Sequence, residues 1–334
     1  MLISHQTNYL RHLLILLVAV WIAPAYAADP LPSWNNAASK ASIISFVERV
    51  TKPGSKDFVA PGERIAVFDN DGTLWSEQPM YFQLFFTFDR IRALAPQHPE
   101  WQEKPAFKAL LDGDMKAVMA GGTRALFEMV VAANAGNTTE EFNKIVTEWV
   151  ATARHPKSRR PFTEMVYQPM LELLTFLRAS GFKTYICSGG DVSFMRAFSE
   201  RVYGIPPEQV IGSVMKTSLG SAKDPLAIVI QPQLDVNNDQ EMKPVSIQRV
   251  IGRRPIFTFG NSDGDQAMLE WTAAGSGARF MGLVHHTDGE REVAYDRTSS
   301  IGKLDKALDE AKAKGWTIAD MKQDWLVVFP PERR

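Results

Sequence analysis

Cysteine is nearly absent from this chain, with Cys187 the single one among 334 residues. A lone thiol excludes any disulfide within the chain, so the fold rests on core packing, and Cys187 itself reads as a small buried hydrophobe on a strand. A surplus of charge is missing too, since 37 basic side chains face 38 acidic ones. No net field favours nucleic acid or anionic lipid, and partners must be read from a site instead. Long apolar runs are confined to the beginning of the chain. There Arg11 precedes an apolar stretch from Leu13 to Ala23, then Pro24 and the small-x-small triplet Ala25-Tyr26-Ala27. This run is short for a membrane span and carries the pattern that signal peptidase accepts. The expectation is a signal peptide over 1–27 cut after Ala27, a periplasmic or secreted product, and no stable membrane anchor after cleavage. Internal repeats are also lacking.

What is present is an alternation of short apolar runs with helical periodicity. Strands are expected at 64–68, 182–187, 210–214, 255–259 and 279–284, most of them next to helical patterns. Such alternation predicts an α/β fold, a Rossmann-like doubly wound, mostly parallel sheet. Between the first two strands lie more than a hundred residues with helical period at 80–94, 104–119, 123–133 and 139–152, far more than a crossover needs. The expected organisation is an α/β core at 28–74 and 163–334 with an inserted helical cap at 75–162. A helix at 168–179 returns the chain to the sheet. A small hairpin is expected within 213–242, a surface helix at 303–314, and a short strand or packed segment at 325–329.

The most informative run is Ile65-Ala66-Val67-Phe68-Asp69-Asn70-Asp71-Gly72-Thr73-Leu74. A continuously apolar strand reads as buried on both faces, and the carboxyl ends of parallel strands form the crevice where ligands bind. Two carboxylates there require a cation or a reaction to offset their desolvation. After the second strand come Ser188, Gly189 and Gly190, a hydroxyl and two glycines that let backbone N–H groups approach an anion. After the fourth come Gly260-Asn261-Ser262-Asp263-Gly264-Asp265, an oxygen-rich loop suited to Mg²⁺. Lys243 begins a helical pattern, where it opposes the helix dipole and gains weight as a contact to an anion or to carboxylates. Taken singly, each segment could be a flexible turn or a surface side chain.

Taken in order, Asp69-Asn70-Asp71-Gly72-Thr73, Ser188-Gly189-Gly190, Lys243 and Gly260 to Asp265 resemble the four motifs of the haloacid dehalogenase superfamily, most closely its phosphoserine-phosphatase-like branch. The resemblance spans roughly residues 64–284. It implies a phosphatase that hydrolyses the ester of a small phosphorylated metabolite with Mg²⁺. Asp69 would be the nucleophile, forming an aspartyl-phosphate, and Asp71 the general acid and base. Ser188, Gly189 and Lys243 would hold the phosphoryl oxygens. The metal would be held by Asp69, the Asp71 carbonyl and the fourth-motif loop through Asn261 and Asp265, with Asp263 able to share that duty. Two departures stand out: Asn261 occupies a place where many relatives have aspartate, and Glu77 lies slightly off the position of a substrate-binding glutamate. Alternatives are a dehalogenase, which would share Asp69 but not need Asp71 or a metal, and a non-catalytic ligand-binding module.

Around the cap, Trp75, Tyr81, Phe82, Phe85 and Phe86 could form an aromatic pocket, although the helical spacing of Phe82, Phe85 and Phe86 favours a cap core. His285 and His286, just after the fifth strand, are expected to be a hydrogen-bonded structural pair rather than metal ligands.

Overall fold

The computed structural model describes residues 29–220 and 224–331, so the expected signal peptide and its cleavage site lie outside the described residues. In chain order the elements are α1 (Ala38–Thr51), β1 (Ile65–Phe68), α2 (Phe82–Leu94), α3 (Pro105–Asp112), α4 (Met115–Ala120), α5 (Gly122–Asn134), α6 (Thr139–Thr152), α7 (Gln168–Ala179), β2 (Lys183–Asp191), α8 (Val192–Arg196), α9 (Ser199–Tyr203), β3 (Val210–Leu219), β4 (Ile228–Val236), α10 (Met242–Ile251), β5 (Phe257–Gly260), α11 (Gln266–Ala273), β6 (Phe280–His285), α12 (Lys306–Lys314), β7 (Thr317–Asp320) and α13 (Met321–Asp324). The seven strands form one sheet in the order β4-β3-β2-β1-β5-β6-β7, parallel throughout except for β4. All four residues of β1 are buried, as a central strand covered on both faces requires. From β1 the chain builds outward on one side through β2 and β3, then crosses to β5, β6 and β7 on the other. That reversal opens the crevice at the carboxyl ends of β1, β2 and β5.

Local chemistry sets several boundaries. The single helix expected at 104–119 is two helices, because Gly113 leaves α3 in the left-handed region at φ 82° and Asp114 caps α4 by accepting from Ala117 N at 3.0 Å. A capping box between Thr138 and Glu141 starts α6. The sheet gains two strands beyond the five expected. One is β4, which with an extended β3 makes an antiparallel edge of the sheet itself rather than a hairpin beside it. The other is β7, paired with β6 from Gly282–Thr317 to His285–Asp320. The segment at 325–329 is packed, not a strand: Trp325 meets Trp34 edge-on, and Phe329 stacks on Tyr167.

The aromatic residues of α2 divide between two clusters. Phe82 and Phe86 lie one turn apart and join the main core, where Trp75 contacts Phe82 at 4.9 Å and Phe198 at 4.8 Å. Leu84, Phe88 and Ile91, on the other face, pack with Trp101, Phe107 and Leu110 in a separate cluster. The expectation that Phe82, Phe85 and Phe86 form the core of the helical insertion is therefore corrected: they belong to the core shared with the sheet. Further along the insertion, α6 contributes Phe142, Val146 and Val150 to that same core.

Main-chain bonds tie the insertion to the sheet edge. Gly136 N donates to Ile230 O at 2.9 Å, and Ile230 N to Asn137 O at 3.0 Å. The helices α2 and α5 thereby meet the hairpin β3–β4 over the crevice.

Candidate active site

The chain reverses at the end of β1 into a tight turn that presents Asp69 and Asp71. Asp69 N stays in the sheet, donating to Phe259 O at 2.9 Å. Gly72 then adopts φ 75°, and a β-carbon there would fall 2.0 Å from Asn261 Nδ2 and 2.3 Å from Glu77 Oε1. Glycine is demanded twice over, by conformation and by space. His286 Nε2 bonds Gly72 O at 2.8 Å, so this histidine fixes the turn and does not face a metal site. His285 lies apart, 3.5 Å from Asp296.

Lys243 is buried and bridges two carboxylates, at 2.7 Å from Asp69 Oδ1 and 2.5 Å from Asp265 Oδ1. It stands in the first turn of α10, and these two acids compensate its unfavourable place on the helix dipole. Burial opposes the Lys243 ammonium, yet the charges of Asp265 and Asp69 outweigh it and hold the pKa well above the ordinary lysine value. Asp69 is driven the other way for a carboxyl: burial first, then the neighbouring Asp265, push it up to about 8 despite Lys243.

Asp71 is held by its own turn. Trp75 Nε1 donates to Oδ1 at 2.8 Å, and Ser188 Oγ lies 3.5 Å from Oδ2. Burial raises the Asp71 carboxyl above its usual range, against the Trp75 bond.

Ser188, Gly189 and Gly190 do not follow the second strand, as expected, but lie within it. The register of β2 against β3 shifts between Cys187 and Asp191, a bulge that bends the strand while keeping it in the sheet. Ser213 Oγ donates to Gly189 O at 2.7 Å, and Asn238 Nδ2 to Ser188 O at 2.9 Å. Both carbonyls are held back by these bonds. Gly190 N donates to Ser188 Oγ at 3.1 Å.

The fourth-motif loop splits into residues of different duty. Asp265 is fully buried, with Oδ1 on Lys243 and Oδ2 accepting from the backbone of Asn261 and Ser262 and from Ser262 Oγ. Both oxygens are engaged, so Asp265 positions Lys243 and the loop. Asp263 turns away: its Oδ1 accepts from Asp305 N and Ala307 N, at the start of α12. Expected as a contact to metal or substrate, it is instead an anchor for a distant helix. Asn261 is buried, with Oδ1 accepting from Thr73 Oγ1 at 3.2 Å and Nδ2 donating to Glu77 Oε1 at 2.7 Å. An amide oxygen with one such bond keeps a lone pair for a cation.

Glu77 is buried beneath the turn, where Tyr295 OH also donates to Oε1 at 2.7 Å. Burial lifts its carboxyl well above the ordinary glutamate value, in spite of both donors. Tyr295 stacks on His286 with ring centroids 4.4 Å apart. Neither Tyr295 nor the pair Ser213 and Asn238 was singled out in the sequence. The polar run Asn237-Asn238-Asp239 after an apolar strand was the one signal that could have drawn attention to Asn238.

A cavity of about 330 Å³ opens over these groups. Its floor holds Asp69, Asp71, Ser188, Gly189 and Lys243, and helices α2 and α5 with the β3–β4 hairpin supply its walls. Of the five aromatic residues considered for a pocket, only Tyr81 lines it. Asp69, Glu77 and Asp265 are buried carboxyls, joined by Asp71, and Lys243 is the one ammonium among them. The set is short of positive charge. Among the described residues no three of histidine, cysteine, aspartate and glutamate gather into a metal-binding group. A cation fitting here takes few side-chain ligands and completes its shell with backbone oxygen, substrate phosphate and water, which is how Mg²⁺ binds.

Residues 66–270, more than half of the chain, match the family model described as haloacid dehalogenase-like hydrolase. This chain belongs to that family. A similar fold is seen in a solved structure, a conserved protein of unknown function from Anaerococcus prevotii, at 15% identity and TM-score 0.56, covering 86% of this chain and 91% of that one. Looser likenesses include a phosphoserine phosphohydrolase-like protein from Francisella tularensis, with 16% identity, TM-score 0.38 and coverage of 75% and 99%. A cytosolic 5'-nucleotidase IIIB bound to cytidine follows at 15% identity, TM-score 0.41 and coverage of 76% and 80%. Comparison with curated proteins yields no match.

Proposed function

We propose that this hydrolase is an exported, Mg²⁺-dependent phosphomonoesterase acting on a small phosphate ester through an aspartyl-phosphate. The observation that carries the reading is the pairing at the end of β1: Asp69 bound on one oxygen by Lys243, and Asp71 two residues on, held by Trp75 on the side of the cavity. A dehalogenase needs the first carboxylate alone. The second, its carboxyl raised above the usual range by burial, suits a step in which a proton must be given to a leaving oxygen.

In the first half-reaction the free oxygen of Asp69 forms a bond to phosphorus as the ester P–O bond breaks, and Asp71 gives its proton to the departing alkoxide. In the second, Asp71 takes a proton from water, whose oxygen attacks phosphorus, and the Asp69–phosphorus bond breaks to release inorganic phosphate. Ser188 and the Gly189 N–H would hold the phosphoryl oxygens, and Lys243 would counter their charge. Asp69, the Asp71 carbonyl and Asn261 would hold Mg²⁺, whose charge when bound offsets the repulsion between carboxylate and phosphate. Export rests on the pattern over residues 1–27. Among the described residues no helix is long and apolar enough to cross a membrane.

The test is phosphate release from a panel of phosphorylated amino acids, sugars, nucleotides and aryl phosphates, with Mg²⁺ or with EDTA, for wild type and Asp69→Asn. Activity lost with EDTA and with Asp69→Asn is the expected result. Full metal-dependent activity in Asp69→Asn would refute the mechanism.

A further inference from the structure

The cavity has two halves of opposite character. Beyond the catalytic floor its wall carries an apolar patch, made by Leu84 of α2, Phe127 and Val130 of α5, and Met215 and Leu234 of the β3–β4 hairpin, beside the uncharged Gln83, Thr123 and Asn237. Among the described lining residues Lys243 is the only base, and it is already committed to Asp69 and Asp265. The remaining charged lining residues are acids. Asp191 accepts from Ser193 N, Phe194 N and Asn134 Nδ2, and Asp239 stands exposed beside Gly189 and Gly264. Among the described residues no arginine, histidine or second lysine lines this half.

Building on the phosphatase reading, we propose that the leaving group of the substrate is an apolar alcohol or phenol without an anionic group. Esters that carry a second carboxylate or phosphate are rejected. A carboxylate carried by the leaving group would lose its water against Leu84, Phe127, Val130, Met215 and Leu234 without gaining a cation. An apolar group in the same place releases water from both surfaces. Unpaired polar groups of this kind are the strongest source of discrimination a small pocket has. Phosphorylated amino acids with a free carboxylate, bisphosphorylated sugars and nucleoside diphosphates fall in the rejected class.

The experiment compares kcat/KM for 4-carbamoylphenyl phosphate and 4-carboxyphenyl phosphate, which match in shape and differ in one charge. Wild type, Thr123→Arg and Leu234→Arg are measured, with Asp69→Asn as control and circular dichroism to confirm folding. Thr123 is exposed at the rim, so an arginine there enters without displacing core. Wild type is expected to favour the neutral ester by at least about tenfold, and either folded arginine variant to shrink that ratio about fivefold or more. Comparing one pair of esters across variants cancels their intrinsic reactivity. Equal or better turnover of the carboxylate ester by wild type, with Asp69→Asn inactive on both, would overturn the inference and leave the phosphatase reading standing. A ratio unmoved in both folded arginine variants would overturn it as well. Phosphate release unchanged in Asp69→Asn would remove the reading and the inference together.

Discussion

Asn261 Nδ2 donates to Glu77 Oε1 at 2.7 Å directly across the face of Gly72. The departure from aspartate at this place thus has a partner. An amide can donate to a buried carboxyl; an aspartate could do so only if protonated.

Restoring the acid is therefore expected to be harmful in isolation. Asn261→Asp would set two buried carboxyls within hydrogen-bond distance and destabilise the metal-free protein by about 3 kcal/mol. Thermal melts with EDTA and with Mg²⁺ check this, because the added carboxylate gives the metal a charged ligand and should recover part of the loss on Mg²⁺ addition. The double variant Asn261→Asp with Glu77→Gln should recover most of it without metal.

Asp69 supplies a pH dependence with a definite sign. Its carboxyl is pushed up to about 8 in the metal-free fold by burial and by Asp265, so binding of the proposed Mg²⁺ near neutral pH should be coupled to release of a proton. Apparent Mg²⁺ affinity should rise about tenfold per pH unit between about pH 6 and 8 and level off above that. Calorimetry in buffers of different protonation enthalpy would count the proton released; none released at pH 7 would contradict the assignment. Because the native state binds this proton and the unfolded chain releases it near its ordinary value of 3.8, this group makes the metal-free protein less stable as pH rises from about 4 to 8.

Trp75 holds Asp71 by a single indole donor. Replacing it with phenylalanine keeps an aromatic ring against Phe82 and Phe198 while removing that bond, so the Asp71 carboxyl should become still harder to ionise. A fall in kcat of roughly tenfold or more is expected, together with an upward move of the pH–rate limb that reports Asp71. A pH profile of unchanged shape would assign Trp75 to packing alone.

Cys187 is a lone buried thiol, pushed up to about 12 by burial. A thiol that stays protonated at pH 8 and lies away from solvent should resist thiol-specific reagents in the native state and react in denaturant. Its labelling rate at pH 8 then measures global or local opening. Rapid labelling of native protein would show that the centre of the sheet, between β1 and β3, opens readily.

The site was legible where its chemistry is local. Asp69 and Asp71 sit on one turn, and a continuous apolar strand ending in two acids announces itself without neighbours. Lys243 was visible because a cation at a helix start is locally unfavourable, and its two carboxylates explain why it is tolerated. Asp263 and Asp265 share the same composition, and their division of labour depends on α12, more than forty residues onward. Tyr295 was invisible for the same reason: its bond to Glu77 spans 218 positions. Helix α2 misled because it has two apolar faces, and periodicity shows that a face is buried without naming the cluster it enters. The Ser188 to Gly190 segment looked like a loop because glycine usually ends strands, whereas here the bulge accommodates it.

The bonds between Ile230 and the Gly136–Asn137 corner have a mechanical meaning. Strand β4 connects that corner through β3 to Ser213, and Ser213 Oγ holds the carbonyl of Gly189 in the proposed phosphate cradle. The insertion and the carbonyl of Gly189 are therefore joined by one continuous run of hydrogen bonds. In the phosphatase proposed above, how the leaving group seats against the insertion would then bear on how firmly the phosphate is held.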